Sequence, residues 1–184
     1  MTSEFDIIAA HFAPLARDPG AFGLKDDVAL LPKGEHVVTK DMIIEGVHYL
    51  ASDPLDFVAR KLLRVNLSDL AAKGAKPIGY FLACAWSKKT APADIALFAE
   101  GLRTDQDQFR ISLFGGDTTR QKGTGPVVLS ATFFGTPPRA GVIPRAGAAS
   151  GDDLWVSGTI GDAGLGLGAA KKRESLARAY KDAL

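Results

Sequence analysis

One stretch constrains the fold of this chain more than any other. Asp53-Pro54 opens it, Gly74 closes it, and between them Leu55, Val58, Ala59, Leu62, Leu63, Asn66, Leu67 and Leu70 recur at helical spacing. The aspartate is a candidate N-cap, the proline suits the first helical position, and the glycine suits the residue that ends a helix. So broad an apolar face has to be buried. A few residues beyond Gly74 comes the run 78–86 (IGYFLACAW), apolar with little alternation, which predicts a strand covered on both faces.

The remaining pattern alternates in the same way. A second helix is expected over about 92–108, with strands at 111–114 and 127–134. Upstream, apolar residues at 5, 7, 8 and 12 predict a short amphipathic helix, and Asp18-Pro19-Gly20 a turn or loop. Residues 28–31 and 36–40 read as strands joined in a hairpin across Pro32-Lys33-Gly34-Glu35. Downstream, Pro137-Pro138 and the small-residue stretch 140–151 read as a connector. Residues 153–157 then read as a strand, 161–168 as a glycine-rich helix start without dinucleotide-binding spacing, and 169–184 as a charged helix.

Composition excludes more than it selects. At 184 residues the chain holds one sizeable domain, or one and the start of another. A net charge of +1 gives no nucleic-acid footprint and no polybasic membrane patch. No apolar run is long enough to cross a bilayer, and the N-terminus lacks a basic region followed by an apolar core, so the expected location is cytoplasmic. The single cysteine, Cys84, lies inside an apolar run and reads as a buried small hydrophobe rather than a nucleophile. One cysteine and three histidines argue against a zinc site. There is no P-loop, and the protein-kinase signatures are absent.

The chemistry-bearing pattern is a set of carboxylates placed where apolar runs stop. Asp26-Asp27 precede Val-Ala-Leu-Leu, Asp41 follows Val37-Val38-Thr39-Lys40, Asp69 sits in Asn66-Leu67-Ser68-Asp69, and Asp117 follows a strand-like run and two glycines. Such residues can converge on one crevice, and hard oxygen ligands without a matching cysteine or histidine set suit Mg²⁺, which commonly handles phosphate. Each has a plainer reading. Gly115-Gly116-Asp117-Thr118-Thr119-Arg120 is also what an Asp-stabilised turn looks like, and Asp26-Asp27 a solvated one. Asp41 ends a strand that reads as central, and Asp69 lies in an apolar helix, where an unpaired buried carboxylate is costly. His48, in Glu45-Gly46-Val47-His48, lies close enough to Asp41 in sequence to contact a ligand; His11 and His36 read as structural or solvated.

Taken in order, these segments, together with Arg145-Ala146-Gly147-Ala148-Ala149-Ser150-Gly151-Asp152, resemble the thiamine-monophosphate kinases. Those enzymes belong to the superfamily of aminoimidazole ribonucleotide synthetase and selenophosphate synthetase. The resemblance covers nearly the whole chain. It implies an α/β (α+β) fold: an N-terminal mixed sheet with flanking helices, dimerising through the sheet, followed by the start of a second α/β domain. Residues 1–140 would be the ATP/Mg-binding and dimerisation domain, and 141–184 the connector and the opening of the next, whose further metal, nucleotide and thiamine-ring contacts lie beyond this chain. The implied activity is direct, Mg²⁺-assisted transfer of the ATP γ-phosphoryl group to thiamine monophosphate, with several Mg²⁺ ions and no covalent nucleophile. By the same resemblance Asp27, Asp41, Asp69 and Asp117 are metal ligands assisted by Thr39. Gly116, Asp117 and Arg145 contact ATP, His48 contacts thiamine monophosphate, and the protein is a homodimer with no nucleic-acid or membrane partner.

The sequence departs from the family's pattern at Lys25 and at Lys40, where a cation falls beside an expected metal ligand. The rival readings are another ATP-dependent superfamily enzyme, such as a selenophosphate synthetase or hydrogenase-maturation protein, and a non-catalytic dimeric nucleotide-binding module. Residues 66–72 and Glu45-Gly46-Val47-His48 favour the thiamine enzyme over the first, as does the lack of an N-terminal cysteine region.

Overall fold

Residues 4–25 and 31–171 are described by the computed structural model. The first 145 residues carry a helix α1 (Glu4–Ile7) that continues through helical turns to Leu15. After a short 3₁₀ segment, Pro19–Leu24, come β1 (Val37–Ile44), α2 (Leu55–Ala72), β2 (Lys76–Trp86), α3 (Pro92–Phe109), β3 (Ser112–Arg120) and β4 (Val128–Thr136). A second unit, Ala146–Leu184, contains α4 (Asp162–Ala170).

The four strands form one mixed sheet in the order β1-β4-β2-β3. β4 runs antiparallel to both β1 and β2, and β2 pairs in parallel with β3. A parallel pair needs a crossover, and α3 supplies it. Period-two alternation turns Ile43, Leu82, Cys84, Leu129, Ala131 and Phe133 to one side, where all are buried in the core cluster shared with α2 and α3. The helices cross at Gly101, where a Cβ would lie 2.2 Å from the Asp56 carbonyl oxygen. Beside that crossing the fully buried Asp105 carboxylate takes two bonds from Arg64, at 2.7 and 2.9 Å, with Arg60 Nε at 3.4 Å. The N-terminal segment is tied to the start of β3: the Arg17 and Asp18 amides donate to Ser112 Oγ, and Gln106 Nε2 donates to the Leu15 carbonyl.

Several expectations need correction. Among the described residues β1 is an edge strand, not a central one, and Asp41 lies in its middle instead of ending it. The strand continues because alternation sends Lys40 to one face and Asp41 to the other. Among the described residues β2 is covered by helices on one side only; its other face carries Phe81, Ala83 and Ala85, and Ala83 is exposed. Asp53 does not cap α2. Its carboxylate accepts from the Leu50 amide at 2.8 Å, and Pro54 takes the cap position. Gly115-Gly116-Asp117 is not a turn but part of β3. Residues 153–157 form no strand, and the glycine-rich stretch after them is helix α4. Residues 28–30 of the expected strand and most of the charged helix over 169–184 lie outside the described residues, and Leu31 is in no strand.

Candidate functional site

The strands deliver the expected site residues to two opposite edges of the sheet. On the β1 edge, Thr39 and Asp41 are two apart and so share a face, the one that α2 covers. Thr39 Oγ1 donates to Asp69 Oδ2 across this gap at 2.7 Å. Asp41 is half-buried, and its backbone carbonyl accepts from Ser130 Oγ at 3.0 Å, which fixes this stretch of β1 to β4. Asp69 is exposed, contrary to the buried carboxylate expected from its place in an apolar helix. The buried polar residue is Asn66, one turn earlier, at 0% exposure. Lys40 belongs to the opposite face, so its ammonium does not enter the Thr39–Asp41–Asp69 gap.

On the β3 edge, Gly116 has a φ of +154°, and a Cβ there would sit 1.8 Å from the Leu82 carbonyl oxygen. The glycine is thus demanded by its close approach to β2. Register turns Thr118 to the helix side, where its hydroxyl accepts from Trp86 Nε1 at 2.9 Å, and places the exposed Asp117 opposite Ala83. Between α1 and this edge lies a cavity of about 590 Å³, with Phe5, Ile8, Phe12 and Phe114 as apolar wall and Lys25 and Asp117 among its polar residues. That size suits a small-molecule ligand. Cys84 also lines it, but burial, and then the charge of Asp117, push its thiol pKa far up, so it stays protonated and unreactive.

The two edges do not meet within one chain. Asp41 pairs with Ala131, Ala131 with Leu82, and Leu82 with Gly116, so Asp41 and Gly116 are separated by three strand spacings, roughly 14 Å at the usual inter-strand distance. Among the described residues no three carboxylate, histidine or cysteine side chains gather closely enough to hold a metal ion. Asp27 lies outside the described residues.

His48 is exposed in the turn after β1. Its Nδ1 accepts from the Ile44 amide at 3.1 Å, which leaves the proton on Nε2, while Lys61 Nζ donates to its carbonyl. Arg145 is exposed on a bend two residues past Ile143. Ile143 is tied to the end of α2 through the Lys73 ammonium, which donates to its carbonyl at 3.2 Å. Sequence reasoning missed the cavity wall, because Phe5, Ile8 and Phe12 carry only the signal of an amphipathic helix. It also missed Ser130, an ordinary strand residue whose role depends on the β1–β4 register.

Residues 25–136 match the family described as AIR synthase related protein, N-terminal domain. A thiamine-monophosphate kinase of Caulobacter vibrioides is 54% identical over 169 residues, covering 90% of this chain and 47% of that protein. Among solved structures, a thiamine-monophosphate kinase of Stenotrophomonas maltophilia superposes with a TM-score of 0.76 at 38% identity, covering 91% of this chain and 54% of that one. AaThiL complexed with AMPPCP and TMP superposes with a TM-score of 0.71 at 26% identity, covering 83% of this chain and 48% of that one. The chain spans about half the length of the curated relatives it matches.

Proposed function

The chain belongs to the AIR synthase related family, whose N-terminal domain it contains, and from that premise we propose that it is the nucleotide- and metal-binding part of a kinase that uses ATP to phosphorylate thiamine monophosphate to thiamine diphosphate. The observation that carries this reading is likeness to a thiamine-monophosphate kinase along 90% of the chain at 54% identity. Residues 1–140 form the ATP/Mg-binding and dimerisation domain, residues 141–184 open the next, and the protein works in the cytoplasm as a homodimer.

Each site residue has a role its surroundings support. Mg²⁺ takes one or two protein carboxylates and fills the rest of its shell with water and phosphate oxygens. Thr39, Asp41 and Asp69 fit that demand at one edge, and Asp117 offers a further carboxylate at the other; Asp27 completes the set by resemblance. When bound, Mg²⁺ neutralises charge on the transferring phosphoryl group. Gly116 and Asp117 line the cavity beside β3 and contact ATP there, and Arg145 supplies a cation for the phosphates. His48, with Nδ1 occupied, presents Nε2–H to the phosphate of thiamine monophosphate. Phosphoryl transfer needs positioning and charge neutralisation more than a covalent partner, so no residue is assigned as a nucleophile.

The separation of Asp41 from Asp117 supports a site shared between two copies. The sheet face away from the helices is the surface on which they would meet. Val38 is 55% exposed there and Met42 49%, beside an aromatic cluster in which the Phe81 ring lies 5.8 Å from Phe134. Calorimetry of AMPPCP with Mg²⁺ tests the assignment. Asp41→Asn and Asp117→Asn are each expected to weaken binding by tenfold or more, on the order of what losing a charged metal ligand removes, and unchanged binding in both would sink it.

A further inference from the structure

Phe5, Ile8 and Phe12 all line the cavity beside β3, yet they are buried very unequally. Phe12 is 4% exposed and belongs to the core, whereas Phe5 is 80% exposed. A single exposed ring on an open surface needs no explanation. Phe5 stands instead on the rim of a cavity whose wall is already aromatic, and no role assigned above uses it.

The cavity is chemically divided. Phe12 and Phe114, both almost fully buried, give it an apolar wall, while Lys25 and Asp117 bring charge. Phe114 and Asp117 are three residues apart on β3, roughly 10 Å along a strand, so the aromatic and the charged parts are separate. The ligand such a lining suits is a flat ring joined to a phosphate, which describes both an adenine nucleotide and thiamine monophosphate. Gly116 and Asp117 are the nucleotide contacts proposed above. With the phosphates on that side, the base falls to the apolar wall, under the ring of Phe5.

We infer that Phe5 is a binding residue that stacks on the base of the nucleotide held in this cavity. This rests on the nucleotide assignment above. Stacking needs only a π-face, so Phe5 adds affinity for any ligand that carries a base and none for the phosphates. It also accounts for an aromatic side chain at an exposed position of α1: the bound base covers a ring that the fold itself leaves open.

The test is calorimetric titration of AMPPCP with Mg²⁺ into the parent chain, Phe5→Ala, Phe5→Tyr and Asp117→Asn, each also melted without ligand. Phe5→Ala is expected to bind about 5–150-fold more weakly, the range that loss of a base-stacking ring covers. It is expected to melt with the parent, because Phe5 is exposed. Phe5→Tyr keeps the ring and is expected to bind like the parent. Titration with thiamine monophosphate separates the two ring sources, and its binding is expected to be the same in Phe5→Ala as in the parent. A loss there without a loss of AMPPCP puts the thiamine ring in the cavity and overturns the inference. If Phe5→Ala binds AMPPCP like the parent while Asp117→Asn has lost it, the nucleotide assignment stands and the role of Phe5 is overturned. A loss in Phe5→Tyr as large as in Phe5→Ala, or a lower melting temperature of Phe5→Ala without ligand, overturns it as well. If the parent binds no AMPPCP, the nucleotide assignment fails and this inference with it.

Discussion

Asp69 shows how much turns on one position of a helix. It and Asn66 sit three residues apart, yet one is exposed and bonded to Thr39 while the other is fully buried. The apolar stripe of α2 was legible in the sequence, but which side of its margin each polar residue would take depends on how the helix rolls against β1 and α3, which no local pattern states. Because Asp69 is exposed, Asp69→Asn is expected to leave the unfolding free energy from urea titration within about 0.5 kcal/mol of the parent while weakening Mg²⁺-dependent nucleotide binding. A large loss of stability would mark a structural residue instead. Cys84 makes a prediction about pH. Burial raises its pKa in the fold, so the folded state keeps the proton that the unfolded chain releases above about pH 8.5. The stability this represents is fully present below that pH and lost as pH rises. In Cys84→Ala, denaturant titrations at pH 8 and 10 should show a smaller loss than in the parent, by about 1.4 kcal/mol for each unit above the unfolded pKa. An unchanged pH slope would mean the thiol is not held protonated.

At the scale of elements, what could be read from sequence was periodicity, and what could not was order. The helix expected over 53–73 is α2, and the strand expected over 78–86 lies within β2, because their apolar spacing reports burial directly. That β1 lies at an edge follows only from β4 inserting between it and β2, a pairing between segments about ninety residues apart. Gly116 answers a second demand that the local motif does not state: its missing side chain makes room for the Leu82 carbonyl. Gly116→Ala should therefore disrupt β2–β3 pairing and lower stability even without nucleotide, as melting in chelator and hydrogen exchange of residues 82–84 would reveal. Asp105 offers a second check on the layers. Removing it takes from Arg64, whose side chain is 43% exposed, its two shortest bonds and leaves it Gln108 Oε1 and the Phe109 ring, so Asp105→Ala should cost about 1–3 kcal/mol in denaturant unfolding, and no measurable loss would deny the pair its place between the layers.

For the whole molecule, the central geometric fact is that one chain holds Asp41 and Asp117 at opposite edges of its sheet. A shared site makes a specific prediction. Asp41→Asn and Asp117→Asn proteins, each deficient alone, should recover nucleotide sites when dissociated and remixed, to about one quarter of the parent number, because half the random dimers are mixed and each carries one intact site. No recovery would place all ligands in one copy. Charge on the exposed sheet face should prevent the pairing: Met42→Lys is expected to shift the protein toward monomer in sedimentation, at a position half open to solvent in the single chain. The most direct test of the whole account is transfer of label from [γ-³²P]ATP. With thiamine monophosphate and Mg²⁺, labelled thiamine diphosphate is expected in step with ADP, and neither product with Asp117→Asn. Release of labelled phosphate without labelled thiamine diphosphate, or equal turnover by Asp117→Asn, would contradict it.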